Sequence, residues 1–253
     1  MQIEVIPTLN EKTEQELADK TVVVIDVLRA TSNIVTGLSH GCVSVIPVKT
    51  IQQAWEMKEA GDLLGGERNC ERIAGFDLGN SPSEYMSPAV RGRKIVMTTT
   101  NGTSAISKAR KAKQVFIGSF LNASACAAAA SASGRDVMLL CSGTQGQFSM
   151  EDGLCAGLIG GLILRGLGDE GRMNDFGLAM EQSYRQASRD LSRIVLSCAN
   201  GIRLSRLGCK DDVLFCCQVD AMPVVPVLDE ERKVCLLALP DSPQPASSLK
   251  SLF

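Results

Sequence analysis

The chain has 253 residues, with 26 basic against 28 acidic side chains and a formal net charge of −2. That length suits one large domain or two small ones, at ~150 residues per domain, and the balanced charge argues against a dedicated nucleic-acid binder, which needs an excess of Lys and Arg on one face. Aromatic residues are only 4%, too few for stacking platforms to be the main device, and histidine occurs once, as His40, which excludes two-histidine metal sites and H-E-x-x-H zinc peptidases.

Residues 1–12 have neither a basic n-region nor an apolar h-region, so no secretory signal is expected there. Residues 22–27 form a β-branched run, the mark of a strand buried on both faces. Similar strand runs follow at 43–48, 94–97, 114–117 and 137–141. Helical patterns lie between and after them at 31–38, 51–60, 104–109, 123–131 and 151–164. Strand and helix alternating in this way predict right-handed βαβ units, a largely parallel sheet and a three-layer αβα fold. The longest apolar stretch, 154–164, is 11 residues long, contains three glycines and stops at Arg165; a membrane span needs ~20. The Gly-rich patch 166–177 suggests an N-terminal α/β core, 1–165, and a helical C-terminal part, 166–253, although one continuous domain is equally compatible. Residues 198–207 read as a helix, and 224–228 with 234–239 read as an antiparallel hairpin at a sheet edge. The tail from Pro240 is expected to be loose.

The ten cysteines show no C-x-x-C spacing and sit mostly in apolar or Ala/Gly-rich runs. They read as reduced, buried side chains in a cytosolic protein, with no disulfide and no catalytic thiol.

In open parallel sheets, ligands bind beyond the carboxyl ends of the strands. Five strand ends here carry hydroxyl, amide, glycine or charged residues: 26–32, 65–68, 98–103, 118–122 and 142–146. The Thr99-Thr100-Asn101-Gly102-Thr103 turn opens a helix, so it is either an N-cap or an anion cradle. A Ser142-Gly143-Thr144 turn and a Thr31-Ser32 pair favour the cradle. Arg29 and Arg68 suit bidentate oxyanion binding or structural ion pairs. Asp26 ends a buried strand, where a carboxylate is costly unless it is paired or on a metal. Glu67 follows two glycines, and Glu151-Asp152 begins a helix, where carboxylates also suit the macrodipole. Oxygen ligands with almost no histidine fit Mg2+ better than Zn2+.

Several motifs mislead. Residues 37–41 match G-x-S-x-G but follow a helix and precede a strand, the wrong order for a nucleophile elbow. Residues 166–171 match G-x-G-x-x-G outside any clear βαβ unit. There is no phosphate-binding G-x-x-x-x-G-K-[ST] loop, no arginine six positions after a cysteine, and no second aspartate to complete a D-x-D motif at Asp26.

The runs Val24-Ile25-Asp26-Val27-Leu28-Arg29-Ala30-Thr31-Ser32, Gly66-Glu67-Arg68, Gly79-Asn80-Ser81-Pro82, 99–103, Gly118-Ser119-Phe120-Leu121-Asn122 and Glu151-Asp152-Gly153-Leu154-Cys155-Ala156-Gly157 resemble, in order and spacing, the 2-phosphosulfolactate phosphatase family. The resemblance covers roughly residues 20–240. It implies a Mg2+-dependent phosphomonoesterase that converts (2R)-2-phospho-3-sulfolactate to 3-sulfolactate and phosphate, a step of coenzyme M biosynthesis. The expected catalytic residues are then Asp26, Arg29 and Asn101. Expected substrate contacts are Thr31, Ser32, Arg68, Asn80, Ser81, Thr100, Gly102, Thr103, Ser142, Gly143 and Thr144. Expected Mg2+ ligands are Asp26, Glu67 and Asp152, with water or Asp26 itself as the nucleophile. The expected partner is a small anionic phosphorylated substrate in the cytoplasm, without nucleic acid or membrane; a homo-oligomer is left open. The competing reading is a non-catalytic α/β module that binds a small anionic metabolite. The carboxylates separate the two, since they repel an anion unless a cation intervenes.

Overall fold

The structure is a computed structural model that describes residues 1–237. The expected loose tail from Pro240 lies outside the described residues, as do the last two residues of the expected second hairpin strand. The elements in chain order are β1 (Gln2–Ile6), β2 (Thr21–Ile25), α1 (Ala30–Ser39), β3 (Ser44–Pro47), α2 (Ile51–Met57), β4 (Leu63–Arg68), β5 (Glu71–Arg72), α3 (Pro82–Tyr85), β6 (Lys94–Thr98), α4 (Gly102–Lys108) and β7 (Gln114–Gly118). They continue with α5 (Ala123–Ala132), β8 (Val137–Cys141), α6 (Met150–Leu167), β9 (Arg172–Met173), α7 (Asp175–Ala187), α8 (Leu191–Ser197), α9 (Ala199–Arg206), α10 (Lys210–Cys216), β10 (Pro226–Leu228) and β11 (Val234–Leu236).

All strands join one 11-stranded sheet in the order β5-β4-β6-β3-β11-β10-β7-β2-β8-β1-β9. The pairings within β4-β6-β3 and within β7-β2-β8-β1-β9 are parallel. Strand β2 shows why. Its side chains alternate between two cores: Val23 and Ile25 pack with α5 and α6, and Val22 and Val24 pack with α1 and α4. A strand covered on both faces must be apolar at every position, as this one is. On the far side of the sheet β6 repeats the pattern, with Ile95 and Met97 on the α1/α4 side and Val96 on the α2 side. Residues 165 and 166 are consecutive within α6. No helix among the described residues is long and apolar enough to cross a membrane.

The hairpin is not at an edge. β10 and β11 pair antiparallel with each other and lie mid-sheet, β10 on β7 through Val227–Phe116 and β11 on β3 through Val234–Val45. Short strands around a charged turn mimic an edge in sequence. The hairpin instead caps two edges, those of β3 and β7, whose backbone groups would otherwise lack partners.

Three successive antiparallel pairings make the two parallel groups run in opposite senses. Adjacent strands rotate by about 20–25°, so over the steps from β2 to β6 the twist is on the order of 100°. The carboxyl ends of the two groups thereby turn toward one another. They meet at Gly102, just after β6, where a Cβ would stand 2.6 Å from Asp26 Oδ2 and 2.4 Å from the Ala30 Cβ.

One buried carboxylate locks the β2 and β8 ends together. Asp152, in the first turn of α6, accepts hydrogen bonds from the Val27 N–H (2.8 Å), the Gly143 N–H (3.1 Å) and the Ser142 hydroxyl (3.3 Å). Replacing it by asparagine points an NH2 group at a backbone N–H. Asp152→Asn is therefore expected to lose about 1–3 kcal/mol of stability, measured by urea unfolding; an unchanged midpoint would show that the clamp contributes nothing.

All ten cysteines are free. Burial drives the thiols of Cys42, Cys126 and Cys217 up to about 12 and those of Cys141, Cys155 and Cys216 also far upward. At pH 8 a thiol with that acidity is about one part in ten thousand thiolate. Brief alkylation of the native protein should mark only Cys70, Cys198, Cys209 and Cys235 in peptide mapping. Rapid labelling of Cys126 or Cys155 would contradict the packing described.

Candidate active site

A cavity opens where the strand ends converge. Its walls come from Asp26, Leu28, Arg29 and Ala30 after β2, Glu67, Asn69 and Cys70 at the end of β4, Thr99, Thr100 and Asn101 after β6, and Thr144 and Gln145 after β8. Asn80 and one face of α9, Asn200, Arg203 and Leu204, complete it.

Asp26 is held by its own loop. The Thr31 hydroxyl accepts from the Asp26 N–H (3.0 Å) and donates to the Asp26 carbonyl (2.8 Å). The Ser32 hydroxyl donates to the Val27 carbonyl (2.8 Å). Both side chains are fully buried and neither lines the cavity. The expected substrate contacts Thr31 and Ser32 are instead braces for the strand end. Asp26 Oδ1 accepts from the Ala30 N–H (3.2 Å). Burial raises the Asp26 carboxyl to about 6, against the pull of the Ala30 N–H, and the negative charges of Glu67 and Glu151 add to the rise.

Glu67 and Arg68 are neighbours on β4 and so point to opposite faces. Glu67 faces the cavity and accepts from the Thr100 N–H (2.8 Å) and the Cys70 N–H (2.7 Å). Arg68 turns away, to the carbonyls of Glu67 and Lys49 and the Thr98 hydroxyl. Expected to bind substrate, Arg68 is directed by the strand pleat away from the cavity and does not line it.

The 99–103 turn is a cap more than a cradle. Thr99 Oγ1 accepts from the Thr103 N–H and Thr103 Oγ1 from the Thr99 N–H, each at 3.2 Å. Thr103 is thereby removed from the expected contacts, and Gly102 serves by having no side chain against Asp26. Thr100 and Asn101 remain on the cavity wall. Asn101 Oδ1 accepts from the Gln145 N–H (3.3 Å) and so ties the β6 end to the β8 end.

Arg29 is 3% exposed and lines the cavity, but its guanidinium is paired with Asp212 of α10. Burial opposes its charge and Asp212 outweighs burial, leaving its pKa above the usual value. Ser81 donates to the other Asp212 oxygen (2.6 Å), so it supports the ion pair and does not line the cavity. Asn80 is held by the Asn33 amide, which donates to its side-chain oxygen at 2.6 Å.

Ser142, Gly143 and Asp152 form the clamp described above and stand behind the cavity wall. Asp152 does not line the cavity, whereas Asp26 and Glu67 do. Among the described residues, no three His, Cys, Asp or Glu side chains gather into a metal-holding group. Asp26 and Glu67 do share the cavity. Mg2+ commonly takes one or two carboxylates and fills its remaining positions with water and substrate phosphate, a donor set that these two residues fit.

Sequence patterns missed Asn69, Cys70, Gln145 and the α9 residues. Asn200, Arg203 and Leu204 have the i, i+3, i+4 spacing of one helix face, the only signal they carried. The Asn200 amide donates to Thr144 Oγ1 and Glu151 Oε1, both at 2.7 Å, and seats α9 on the site. The placement of Cys70 in the cavity wall sets it apart from the six core thiols.

A family profile described as 2-phosphosulpholactate phosphatase matches residues 6–231. A probable 2-phosphosulfolactate phosphatase of Clostridium novyi is 40% identical over 229 residues, covering 89% of this chain and 96% of the relative. One of Caldanaerobacter subterraneus subsp. tengcongensis is 41% identical over 232 residues, covering 90% and 95%. One of Thermotoga maritima is 44% identical over 210 residues, covering 83% and 89%. With the profile spanning nearly the whole described fold and relatives at this identity along almost their full length, the chain belongs to the 2-phosphosulpholactate phosphatase family, a family of phosphoric monoester hydrolases.

Proposed function

We propose that this protein hydrolyses (2R)-2-phospho-3-sulfolactate to 3-sulfolactate and phosphate in a Mg2+-dependent reaction of the coenzyme M biosynthesis type. The names of the relatives support the substrate. The observation that carries the reading is the cavity itself, where the buried carboxylates Asp26 and Glu67 share one wall space with the guanidinium groups of Arg29 and Arg203. A pure anion binder has no use for those two carboxylates, whereas a phosphatase needs them to hold a cation against the phosphoryl group. Ten free cysteines suit a reducing cytoplasm.

In this reading Asp26 and Glu67 would hold Mg2+, which would draw charge from the phosphoryl oxygens when bound. Asp26 is set rigidly by Thr31 and the Ala30 N–H, so little reorganisation is needed. Glu67 is oriented by the Thr100 and Cys70 N–H groups. The Thr100 hydroxyl and the Asn101 amide, on the cavity wall, donate to the phosphoryl group as charge builds. A water attacks phosphorus in line with the departing lactate oxygen.

Two outcomes test this. The folded pKa of Asp26 is raised above the unfolded carboxylate value of about 3.9, so its ionisation costs stability as pH rises through about 6. Asp26→Asn should then melt at the same temperature or higher at pH 7, while losing at least ~100-fold in phosphate release across a Mg2+ titration. A variant with wild-type rate and Mg2+ dependence would remove Asp26 from the site. The second outcome concerns pH, because protons and metal compete for the same carboxylate. Half-saturating Mg2+ should rise about tenfold per pH unit below 6 and level off above it, read from rates at fixed saturating substrate. A flat dependence between pH 5 and 7 would exclude Asp26 as the ligand.

A further inference from the structure

Three arginines stand at or beside the strand ends, and their surroundings differ. Arg29 is buried and paired with Asp212. Arg68 faces away and donates to protein oxygens. Arg203 lines the cavity, is partly exposed to it, and forms no ion pair or side-chain hydrogen bond among the described residues. The helix that carries it is nevertheless fixed. Asn200, one helical turn earlier, is pinned to Thr144 and Glu151, and Leu204, the next residue, is 2% exposed in the core. The positive charge of Arg203 also reaches across to Cys70, where it pulls the thiol down against the push of burial. A guanidinium held on the rim of a cavity that contains two carboxylates, and not paired with either, is a cation left for the ligand. Its planar fork matches a carboxylate or sulfonate through two parallel hydrogen bonds.

We propose that Arg203 is the specificity-determining residue of the cavity, gripping an acid group of the substrate that is not transferred, its sulfonate or its carboxylate. The proposal rests on the phosphatase reading above for the identity of that substrate. The chemistry divides the cavity: the phosphoryl group would sit by Asp26 and Glu67, with the cation those two carboxylates would hold offsetting their charge, and a second anion would be neutralised by the protein directly. Among the described residues Arg203 is the cavity cation that has no acidic partner to give up.

The test compares wild type, Arg203→Met and Arg203→Lys on four phosphate esters. These are 2-phosphosulfolactate, 2-phospholactate (no sulfonate), 2-sulfoethyl phosphate (no carboxylate) and ethyl phosphate (neither). The readout is the ratio of kcat/KM for 2-phosphosulfolactate to that for ethyl phosphate, which removes general damage. Arg203→Met should lower this ratio about 10- to 100-fold, mainly through KM, and Arg203→Lys should fall between, since it keeps the charge and loses the fork. Whichever ester with a single further acid group shares the loss identifies the group that Arg203 grips. An unchanged ratio overturns the proposal. Calorimetric titration with 3-sulfolactate in the presence of Mg2+ separates the two readings. If wild type does not hydrolyse 2-phosphosulfolactate but binds 3-sulfolactate at least tenfold tighter than Arg203→Met does, the substrate assignment fails and the role of Arg203 stands. Equal binding by both, or none by wild type, overturns it.

Discussion

The site depends on a carboxylate that does not face it. Asp152 begins α6, yet its oxygens bind the backbone after β2 and the turn after β8. Two strand ends and a helix start are thereby fixed in one place, and Asp26 and Thr144 inherit their positions from that contact. The arrangement is costly. Asp26, Glu151 and Asp152 are all nearly excluded from water, and burial raises the pKa of all three. Such crowding of like charges persists only where hydrogen bonds over-determine it. Asp152 has three donors, Glu151 has the Asn200 amide, and Asp26 has the Ala30 N–H.

Chemistry reaches the cavity from three parts of the chain. The β7-β2-β8 group brings Asp26 and Thr144, the β3-β6-β4 group brings Glu67, Thr100 and Asn101, and the helices after α7 bring Asn200, Arg203 and, behind the wall, Asp212. Cross-links run between these parts. Asn101 joins the two strand groups through Gln145, Asn200 joins α9 to β8, and Arg29 joins α10 to β2. A cavity built this way has short side chains on rigid backbone on the strand side and a long flexible cation on the helical side. That suits a reaction whose phosphoryl end must be placed closely and whose other acid end needs only to be held.

Much of this was legible in the residues. Continuous apolar runs locate β2, β6, β7 and β8, because a strand covered on both faces has no polar position to interrupt it. The rule that ligands gather at carboxyl ends led to Asp26, Glu67, Thr100, Asn101 and Thr144. What was not legible is the direction of each side chain. Thr31, Ser32 and Thr103 look like ligand contacts in sequence, but a hydroxyl beside a strand end satisfies the backbone first, since unpaired buried N–H and C=O groups are costly. Arg68 was lost to the alternation of a strand, and Asp152 to hydrogen bonds across 125 residues. The residues of α9 were invisible because an amphipathic helix face reads the same whether it covers a core or a cavity.

The hairpin in the middle of the sheet has a consequence for how the chain is made. Strands β3 and β7 are synthesised early, and the two strands that lie between them, residues 226–236, emerge more than a hundred residues later. Until they arrive, each strand group carries an open edge, that of β3 on one side and that of β7 on the other. A nascent chain on the ribosome can assemble its βαβ units and pack them on the shared α1/α4 layer, but the sheet itself stays open between β3 and β7, so its closure belongs to the final stage of folding. In that interval the bare edges are templates for pairing between neighbouring nascent chains. Translation speed and chaperone access over the region between α7 and β10 would then govern the yield of native enzyme more than the stability of its finished core.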